Sequence, residues 1–319
     1  MTEETIHKPV LVEEVVRLLE PKPGDIVVDA TVGAGGHAVA LLEKVCPGGF
    51  LLGLDRDPQA AELAERTLIR AGYIRGRHFD IEVRRFSQVD EALARRRISG
   101  VNRMLADLGV CSLHFDFAER GFSLKREGPL DMRLNPSEAS TPTAADIVNL
   151  ASENELERIF REYGEERWAR QIARAIIRAR ARKPIKTTTE LREIVAGSIP
   201  RSKWPPAIDP ATRVFQALRM AVNDELGELE QFLEKIPHTL VSGGRVGVIS
   251  FHSLEDRRVK HAFRMLARTC TCPPELPMCV CGGRQEFRLV ERKAVTASEE
   301  EIRANPRARS AKLRVLERV

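Results

Sequence analysis

Three acidic residues each follow a short apolar run, where they could bind a ligand that carries hydrogen-bond donors or positive charge: Asp29, Asp55 and Asp107. A glycine-rich segment, residues 31–37 (TVGAGGH), comes directly after Asp29 and precedes an apolar-periodic run. Glycines let a ligand approach the backbone closely, and a helix N-terminus presents free N–H groups. The pattern predicts a strand, a glycine turn and a helix that together bind an adenosine-type cofactor.

The glycine-rich segment is compatible with two cofactors. Asp55 lies 22 residues after Gly33, at the end of the second strand, where an acid can accept hydrogen bonds from ribose hydroxyls. Gly33-x-Gly35-x-x-Ala38 also fits the loose dinucleotide pattern, so NAD stays an alternative. An acid at Asp29 would repel a pyrophosphate but could hold the amino group of a methionine moiety. The residues therefore favour S-adenosylmethionine.

The apolar runs predict an α/β fold with a Rossmann-like sheet and helices on both faces. The expected strands cover residues 25–30, 50–54, 81–86, 103–106, 245–250, 288–290 and 313–316, and helices cover 58–71 and 211–236. Between strands four and five the pattern becomes helical. We therefore expect a discontinuous cofactor-binding domain, residues 1–133 and 209–319, interrupted by an all-helical insertion, residues 134–208.

The insertion carries the strongest local positive charge. Residues 158–186 contain ten basic and three acidic residues, whereas the whole chain has a formal charge of +5. On a helix, Ile172 and Ile176 share one face and Arg170 and Arg174 lie on the opposite face. This arginine face suits the phosphates of structured RNA, although a solvated surface is the alternative. The candidate RNA-binding residues are Arg170, Arg174, Arg178 and Arg219.

Four of the six cysteines lie within twelve residues, at Cys270, Cys272, Cys279 and Cys281. Four thiolates could bind zinc, but C-x-C pairs are tighter than the usual C-x2–4-C spacing, and free thiols are the alternative. No window approaches 18 consecutive apolar residues, and the acidic start is unlike a signal peptide. We expect a cytoplasmic protein that makes no membrane contact.

Several motifs in one order resemble the bacterial RsmH family, also called MraW. They are His7-x-Pro9-Val10-Leu11, Asp29-Ala30-Thr31-x-Gly33-x-Gly35-Gly36-His37, Asp55-Arg56-Asp57-Pro58, Arg120-Gly121-Phe122-Ser123, Gly128-Pro129-Leu130-Asp131-Met132-Arg133, Tyr163-Gly164-Glu165-Glu166-Arg167, Phe215-Gln216-Ala217-Leu218-Arg219 and Phe251-His252-Ser253-Leu254-Glu255-Asp256-Arg257. The resemblance covers nearly the whole chain. It implies a class I methyltransferase sheet and methylation of N4 of a cytidine in the decoding region of 16S rRNA, with S-adenosylmethionine as the donor.

The resemblance also implies the cofactor contacts. The corresponding positions are Gly35, Gly36, His37, Asp55, Phe86 and Asp107, and Gly33 of the glycine-rich segment is added to the expected cofactor contacts on its own pattern. After Asp-Leu-Gly-Val the family usually has Ser-Ser-x-Gln, whereas this chain has Cys111-Ser112-Leu113-His114. His114 can still donate or accept a hydrogen bond, and it is included among the expected contacts.

The catalytic residues need a separate hypothesis, because the Asn/Asp-Pro-Pro-aromatic loop of many amino-methyltransferases is absent from the sequence. We expect Asp107 to take that place, with His252 and Ser253 framing the base. A structural role at a strand end is the alternative for His252. The rival functions are an NAD-dependent oxidoreductase and a non-enzymatic rRNA-binding assembly factor. The sequence leaves a homodimer open.

Overall fold

A computed structural model of the chain describes residues 9–110, 117–206, 208–269, 272, 276, 278, 280, 283 and 285–319. The strands are β1 (Ile26–Asp29), β2 (Phe50–Asp55), β3 (Phe79–Val83), β4 (Val101–Asp107), β5 (Leu240–Ser250), β6 (Phe287–Leu289), β7 (Val295–Thr296) and β8 (Lys312–Arg318). The helices are α1 (Val12–Leu19), α2 (Gly36–Val45), α3 (Pro58–Arg70), α4 (Val89–Arg95), α5 (Ala144–Leu150), α6 (Glu153–Glu162), α7 (Ala169–Arg180), α8 (Thr188–Ser198), α9 (Thr212–Asn223), α10 (Glu225–Thr239), α11 (Ser253–Leu266) and α12 (Glu299–Ala304). None of the helices described there is long and apolar enough to cross a membrane.

The strands form one mixed sheet in the order β3-β2-β1-β4-β5-β8-β6, with β7 paired to β8. The first five strands are parallel, and β8 runs antiparallel to both β5 and β6. The register places Asp29 beside Leu105 of β4, and Asp107 beside Ile249 of β5. The carboxyl ends of parallel strands meet at the same edge of a sheet. The three predicted acidic residues, Asp29, Asp55 and Asp107, therefore lie along that edge. The α/β class with helices on both faces is confirmed.

Successive side chains of the central strands point to opposite faces of the sheet, and a separate hydrophobic core lies on each face. Val27, Leu51 and Leu105 pack with residues of α1, α2 and α3 on one face. The neighbouring residues Val28 and Leu52 pack with residues of α4, α10 and α11 on the other. All five side chains are fully buried. Strands covered on both sides read as continuous apolar runs, which is why the sequence identified them.

Two predicted elements differ from the structure. The third strand ends at Val83, and Phe86 begins a short 3-10 turn instead of closing the strand. The single helix expected over 211–236 is two helices, because Asp224 adopts a left-handed conformation with φ 50°. A non-glycine residue at positive φ ends α9, so its hydrogen-bond ladder cannot continue into α10.

The chain divides into two compact units, one of Met1–Gly109 with Gly227–Val319 and one of Val110–Leu226. These boundaries lie outside the 134–208 insertion expected from the sequence. Residues before 134 join the helical unit because Phe122, Leu130 and Met132 belong to its core. Asn223 at the end of α9 also binds that segment, donating to the Met132 carbonyl (2.8 Å) and accepting from the Leu134 N–H (2.9 Å).

Candidate active site

The glycine-rich segment makes a tight turn between β1 and α2. Gly35 is the N-cap of α2 with φ 88°, and a Cβ there would lie 3.2 Å from the Ala64 backbone. A Cβ on Gly36 would meet Pro9 at 2.8 Å, so this glycine is required by protein packing. Gly33 has φ 53°, and the described atom nearest to a Cβ built there, its chain neighbours apart, is the Thr31 carbonyl oxygen at 3.9 Å. Of the three, Gly33 leaves open space that a ligand could enter.

Asp55 closes β2 and orients the glycine turn. Its Oδ2 accepts the Gly33 N–H at 2.9 Å, and its Oδ1 accepts the Asp57 N–H at 2.8 Å. Asp57 in turn caps α3 by accepting the Gln59 N–H. A carboxylate is a strong acceptor with several lone-pair sites, so Asp55 has the chemistry that ligand hydroxyls need.

Asp29 closes β1 and is buried, with 1% of its surface exposed. Its Oδ1 accepts the Thr31 N–H at 3.3 Å, and its Oδ2 has no hydrogen-bond partner in the described part of the chain. Burial raises the pKa of Asp29 from 3.8 to about 7, against the lowering effect of the Thr31 hydrogen bond, and the nearby Asp55 carboxylate adds to the rise. A cation with N–H donors would offset the cost of burying the Asp29 charge and would give Oδ2 a hydrogen-bond partner.

Asp107 closes β4 beside the same turn. Its backbone N–H donates to Thr31 Oγ1 at 2.6 Å, and its Oδ2 lies 3.8 Å from His37 Nδ1. The Oδ1 atom is buried and has no hydrogen-bond partner within the described ranges. Burial raises the pKa of Asp107 well above its ordinary value, and the carboxylates of Asp29 and Glu255 raise it further. The site therefore concentrates acidic groups whose negative charge is unfavourable without a cationic ligand.

His252 and Ser253 begin α11 directly after β5. His252 is the N-cap: its Nδ1 accepts the Glu255 N–H at 3.4 Å, and its Nε2 lies 3.0 Å from Glu255 Oε1. Glu255 is 2% exposed and completes the capping box by accepting the Phe251 and His252 N–H groups. Ser253 is exposed at the first helical position. The His252 ring thus has a capping role, and framing of a base by His252 and Ser253 stays a prediction.

The remaining predicted cofactor and metal residues are Phe86, His114 and the four clustered cysteines. The Phe86 ring packs edge-to-face on Phe232, with centroids 5.5 Å apart. His114 lies outside the described residues, as do Cys270, Cys279 and Cys281. Cys272 is half-buried and its Sγ accepts the Val280 N–H at 3.3 Å. The cofactor contacts of Phe86 and His114 and the weak zinc hypothesis therefore stay predictions.

The predicted RNA-binding arginines fall into two groups. Arg170, Arg174 and Arg178 are exposed on α7, opposite the fully buried Ile172 and Ile176, as the helical spacing indicates. Arg174 Nε donates to a Glu153 carboxylate oxygen at 2.9 Å, and Arg170 Nε lies 4.0 Å from Glu157. Arg219 on α9 is half-buried and bound by Glu225 through two hydrogen bonds of 2.7 and 2.8 Å. Of the four predicted arginines, the exposed ones are therefore those on α7.

Two residues of the site were missed in the sequence. Thr31 fixes the Asp107 backbone through its hydroxyl, and Glu255 is a buried acid that acts on the Asp107 carboxyl. The three-residue spacing of His252 and Glu255 is that of a capping box and could have indicated the role of Glu255. A lone threonine in a glycine-rich turn carries no comparable signal.

Comparison with known proteins places the chain among methylases. Residues 4–319 match a family model described as the MraW methylase family. "Ribosomal RNA small subunit methyltransferase H" of Geobacter sulfurreducens is 50% identical over 313 residues, which is 98% of this chain and 99% of that protein. The protein of the same name from an Anaeromyxobacter species is 49% identical over 319 residues, all of both chains. An rRNA methylase structure from Streptococcus thermophilus aligns with 12% identity over 100% of this chain and 99% of that one, with a TM-score of 0.43.

Proposed function

This chain belongs to the MraW methylase family, and we propose that it transfers the methyl group of S-adenosylmethionine to the N4 amine of a cytidine in the decoding region of 16S rRNA, on the small ribosomal subunit. The membership confirms the resemblance carried by the motifs. It also confirms that the chain is a methyltransferase and not an NAD-dependent oxidoreductase. We further propose that the enzyme works in the cytoplasm. The homodimer that the sequence left open stays a prediction.

The observation that carries the choice of cofactor is the group of three carboxylates, Asp29, Asp55 and Asp107, at the ends of β1, β2 and β4. A pyrophosphate would add negative charge to acids that are already destabilised by burial and by one another. S-adenosylmethionine instead carries a sulfonium and an ammonium group. The unpaired Oδ2 of Asp29 is an acceptor suited to such a cation, so the residues fit this cofactor.

Each acid has a distinct expected role in binding. Asp55 is held by two backbone N–H groups and would accept the ribose hydroxyls. Asp29 would accept the ammonium group through its unpaired Oδ2. Gly33 leaves the space through which the ligand reaches both, because no atom of the described residues, its chain neighbours apart, lies closer than 3.9 Å to the position of a Cβ there. When bound, the cofactor supplies an electrophilic methyl group on its sulfonium sulfur.

Asp107 is the residue that we assign to the acceptor amine. The lone pair of the cytosine amine is delocalised into the ring, and an acceptor on one of its N–H groups favours the pyramidal nitrogen that attacks. Asp107 Oδ1 is such an acceptor, and the Thr31 hydroxyl fixes its backbone at 2.6 Å. Orientation of the amine supplies much of the rate enhancement, because displacement at the methyl carbon needs an in-line approach.

We propose that the exposed arginines of α7, Arg170, Arg174 and Arg178, contact rRNA phosphates. Arginine offers a planar fork of donors that matches a phosphate, and the ion pair of Arg174 with Glu153 holds that side chain in place. Arg219 is bound by Glu225, and we expect this pair to be structural. The helical unit would then bind the RNA through phosphates, which position it without reading the sequence.

A methylation assay on small subunits tests the function. Subunits from cells that lack this methyltransferase are incubated with labelled S-adenosylmethionine, and the 16S rRNA is digested and analysed by mass spectrometry. We expect N4-methylcytidine at one decoding-region position with the wild-type protein, and none with Asp107→Ala. Calorimetric titration with S-adenosylhomocysteine and NAD provides a second readout. Tight binding of NAD, or no N4-methylcytidine with any form of the subunit or with free 16S rRNA, would contradict the proposal.

A further inference from the structure

His37 is held in one tautomer by the backbone. Its Nε2 lies 2.8 Å from the carbonyl oxygen of Val10, and a carbonyl can only accept a hydrogen bond. Nε2 therefore carries the hydrogen, and in the neutral ring Nδ1 presents a lone pair. Nδ1 is the atom that faces Asp107, at 3.8 Å from Oδ2. The ring is 6% exposed, so water does not compete freely for this position.

The two oxygens of Asp107 consequently have different surroundings. Oδ2 faces the lone pair of His37, and Oδ1 is buried and unpaired among the described residues. In the described part of the chain, the titratable groups that act on or face this carboxyl are Asp29 from β1, Glu255 from α11 and His37 from α2. Burial and the two neighbouring acids raise the pKa of Asp107, so its carboxyl holds a proton more tightly than that of an exposed aspartate. Its proton has an acceptor on the Oδ2 side, in His37 Nδ1, and none on the Oδ1 side in the described part of the chain.

We propose that His37 receives the proton released by methyl transfer, with Asp107 passing it from the substrate amine. This inference rests on the proposed function. As the N4–C bond forms, the C–S bond breaks and its electron pair goes to sulfur. The N4–H electron pair returns to nitrogen while the proton moves to Asp107 Oδ1, and the proton on Oδ2 moves to His37 Nδ1. The products are a neutral methylated amine, a neutral Asp107 carboxyl and an imidazolium.

The geometry needs only a small closure to support this path. The Nδ1–Oδ2 distance of 3.8 Å is about 1 Å longer than a charge-assisted hydrogen bond. Such contacts are often long before substrate binds and shorten in the reacting complex. His37 acts through Asp107 and is a positioning residue, whereas Asp107 touches the reacting amine. Without His37, only an already ionised Asp107 could take the proton.

The pH dependence of single-turnover methylation tests the path. His37→Gln retains an amide that can reach the Val10 carbonyl but has no basic nitrogen. We expect this variant to be about 100-fold slower than wild type at neutral pH, the lower end of general-base effects. The deficit should shrink about tenfold per pH unit as the pH rises and Asp107 ionises. The matched control is His261→Gln on the exposed face of α11, which should leave the rate and its pH profile unchanged.

A double-variant cycle separates this role from a structural one. If the two side chains form one path, His37→Gln should cost little in an Asp107→Asn background, because the path is already broken. A deficit of His37→Gln that is equal at every pH, or a full additional loss in the double variant, would indicate a packing role and overturn the proposal. A wild-type rate for His37→Gln would overturn it as well.

NMR of the cofactor-free protein provides a readout that needs no turnover. Long-range 1H–15N spectra of protein labelled at histidine should show His37 as the Nε2–H tautomer at neutral pH. An Nδ1–H tautomer would leave no acceptor for Asp107 and would refute the path. The two proposals fail separately: absence of N4-methylcytidine with the wild-type enzyme defeats the function, whereas normal methylation with an unaffected His37→Gln defeats only the proton path.

Discussion

Replacing Asp29 by asparagine should stabilise the cofactor-free protein, and increasingly so as the pH rises. Asp29 is 1% exposed, and its pKa is raised from 3.8 to about 7 by burial, despite the Thr31 hydrogen bond, and by Asp55. An acid whose pKa is higher in the folded state binds its proton more tightly there. Its contribution to stability is complete below pH 3.8 and is lost as the pH rises to about 7.

The size of the effect follows from the shift. A rise from 3.8 to about 7 is roughly three pKa units, and each unit corresponds to about 1.36 kcal/mol. Ionisation of Asp29 should therefore remove about 4 kcal/mol from the free energy of unfolding between pH 4 and pH 8. Asparagine cannot ionise, and its Oδ1 can still accept the Thr31 N–H. The advantage of Asp29→Asn over wild type should grow by about 2 kcal/mol between pH 5 and pH 7.

Urea denaturation at pH 5, 6, 7 and 8 measures this difference for the cofactor-free proteins. Asp90→Asn is the matched control, because partial burial of Asp90 is outweighed by its hydrogen bonds, foremost that to Lys235, and its pKa is lowered. That group is ionised in both states across this range, so its effect should not vary with pH. An advantage of Asp29→Asn that is constant with pH, or larger at pH 5 than at pH 8, would refute the reasoning.

Three further changes test other parts of the structure. Asp107→Ala should abolish methylation of small subunits without lowering the melting temperature, and near wild-type activity would contradict its assignment. Arg178→Glu should weaken binding to small subunits and reduce the salt dependence of that binding by about one phosphate contact, whereas Arg303→Glu on α12 should not. Ile176→Ala should cost about 2–5 kcal/mol of unfolding free energy in urea, because its side chain is fully buried, and a cost below about 1 kcal/mol would contradict its place in the core.

The sequence located the acids of the site because the central strands are buried on both faces. Val27 and Val28, or Leu51 and Leu52, are consecutive apolar residues that pack into different cores, and such runs are easily recognised. The end of each run marks the edge of a parallel sheet. Asp29, Asp55 and Asp107 could therefore be assigned to one edge without knowing the order of the strands.

Other features depend on contacts between segments that are distant in sequence. Nothing near His37 indicates that its Nε2 meets the Val10 carbonyl, 27 positions away. The break at Asp224 depends on one backbone angle that aspartate tolerates but does not require. The helical unit also extends past residue 208 because Val214 and Leu218 pack in its core, which their helical pattern alone could not reveal.

Burial of the acids lowers the free energy of unfolding when these groups are ionised. Asp29 raises the pKa of Asp107, and each of these two acids has an oxygen without a hydrogen-bond partner in the described part of the chain. A cation that binds there gains the attraction of the Asp29 carboxylate, so its affinity is linked to the ionisation of Asp29. Raising the pH should accordingly strengthen binding of S-adenosylmethionine until Asp29 is ionised. Asp29→Asn should lose most of that pH dependence while the folded protein becomes more stable.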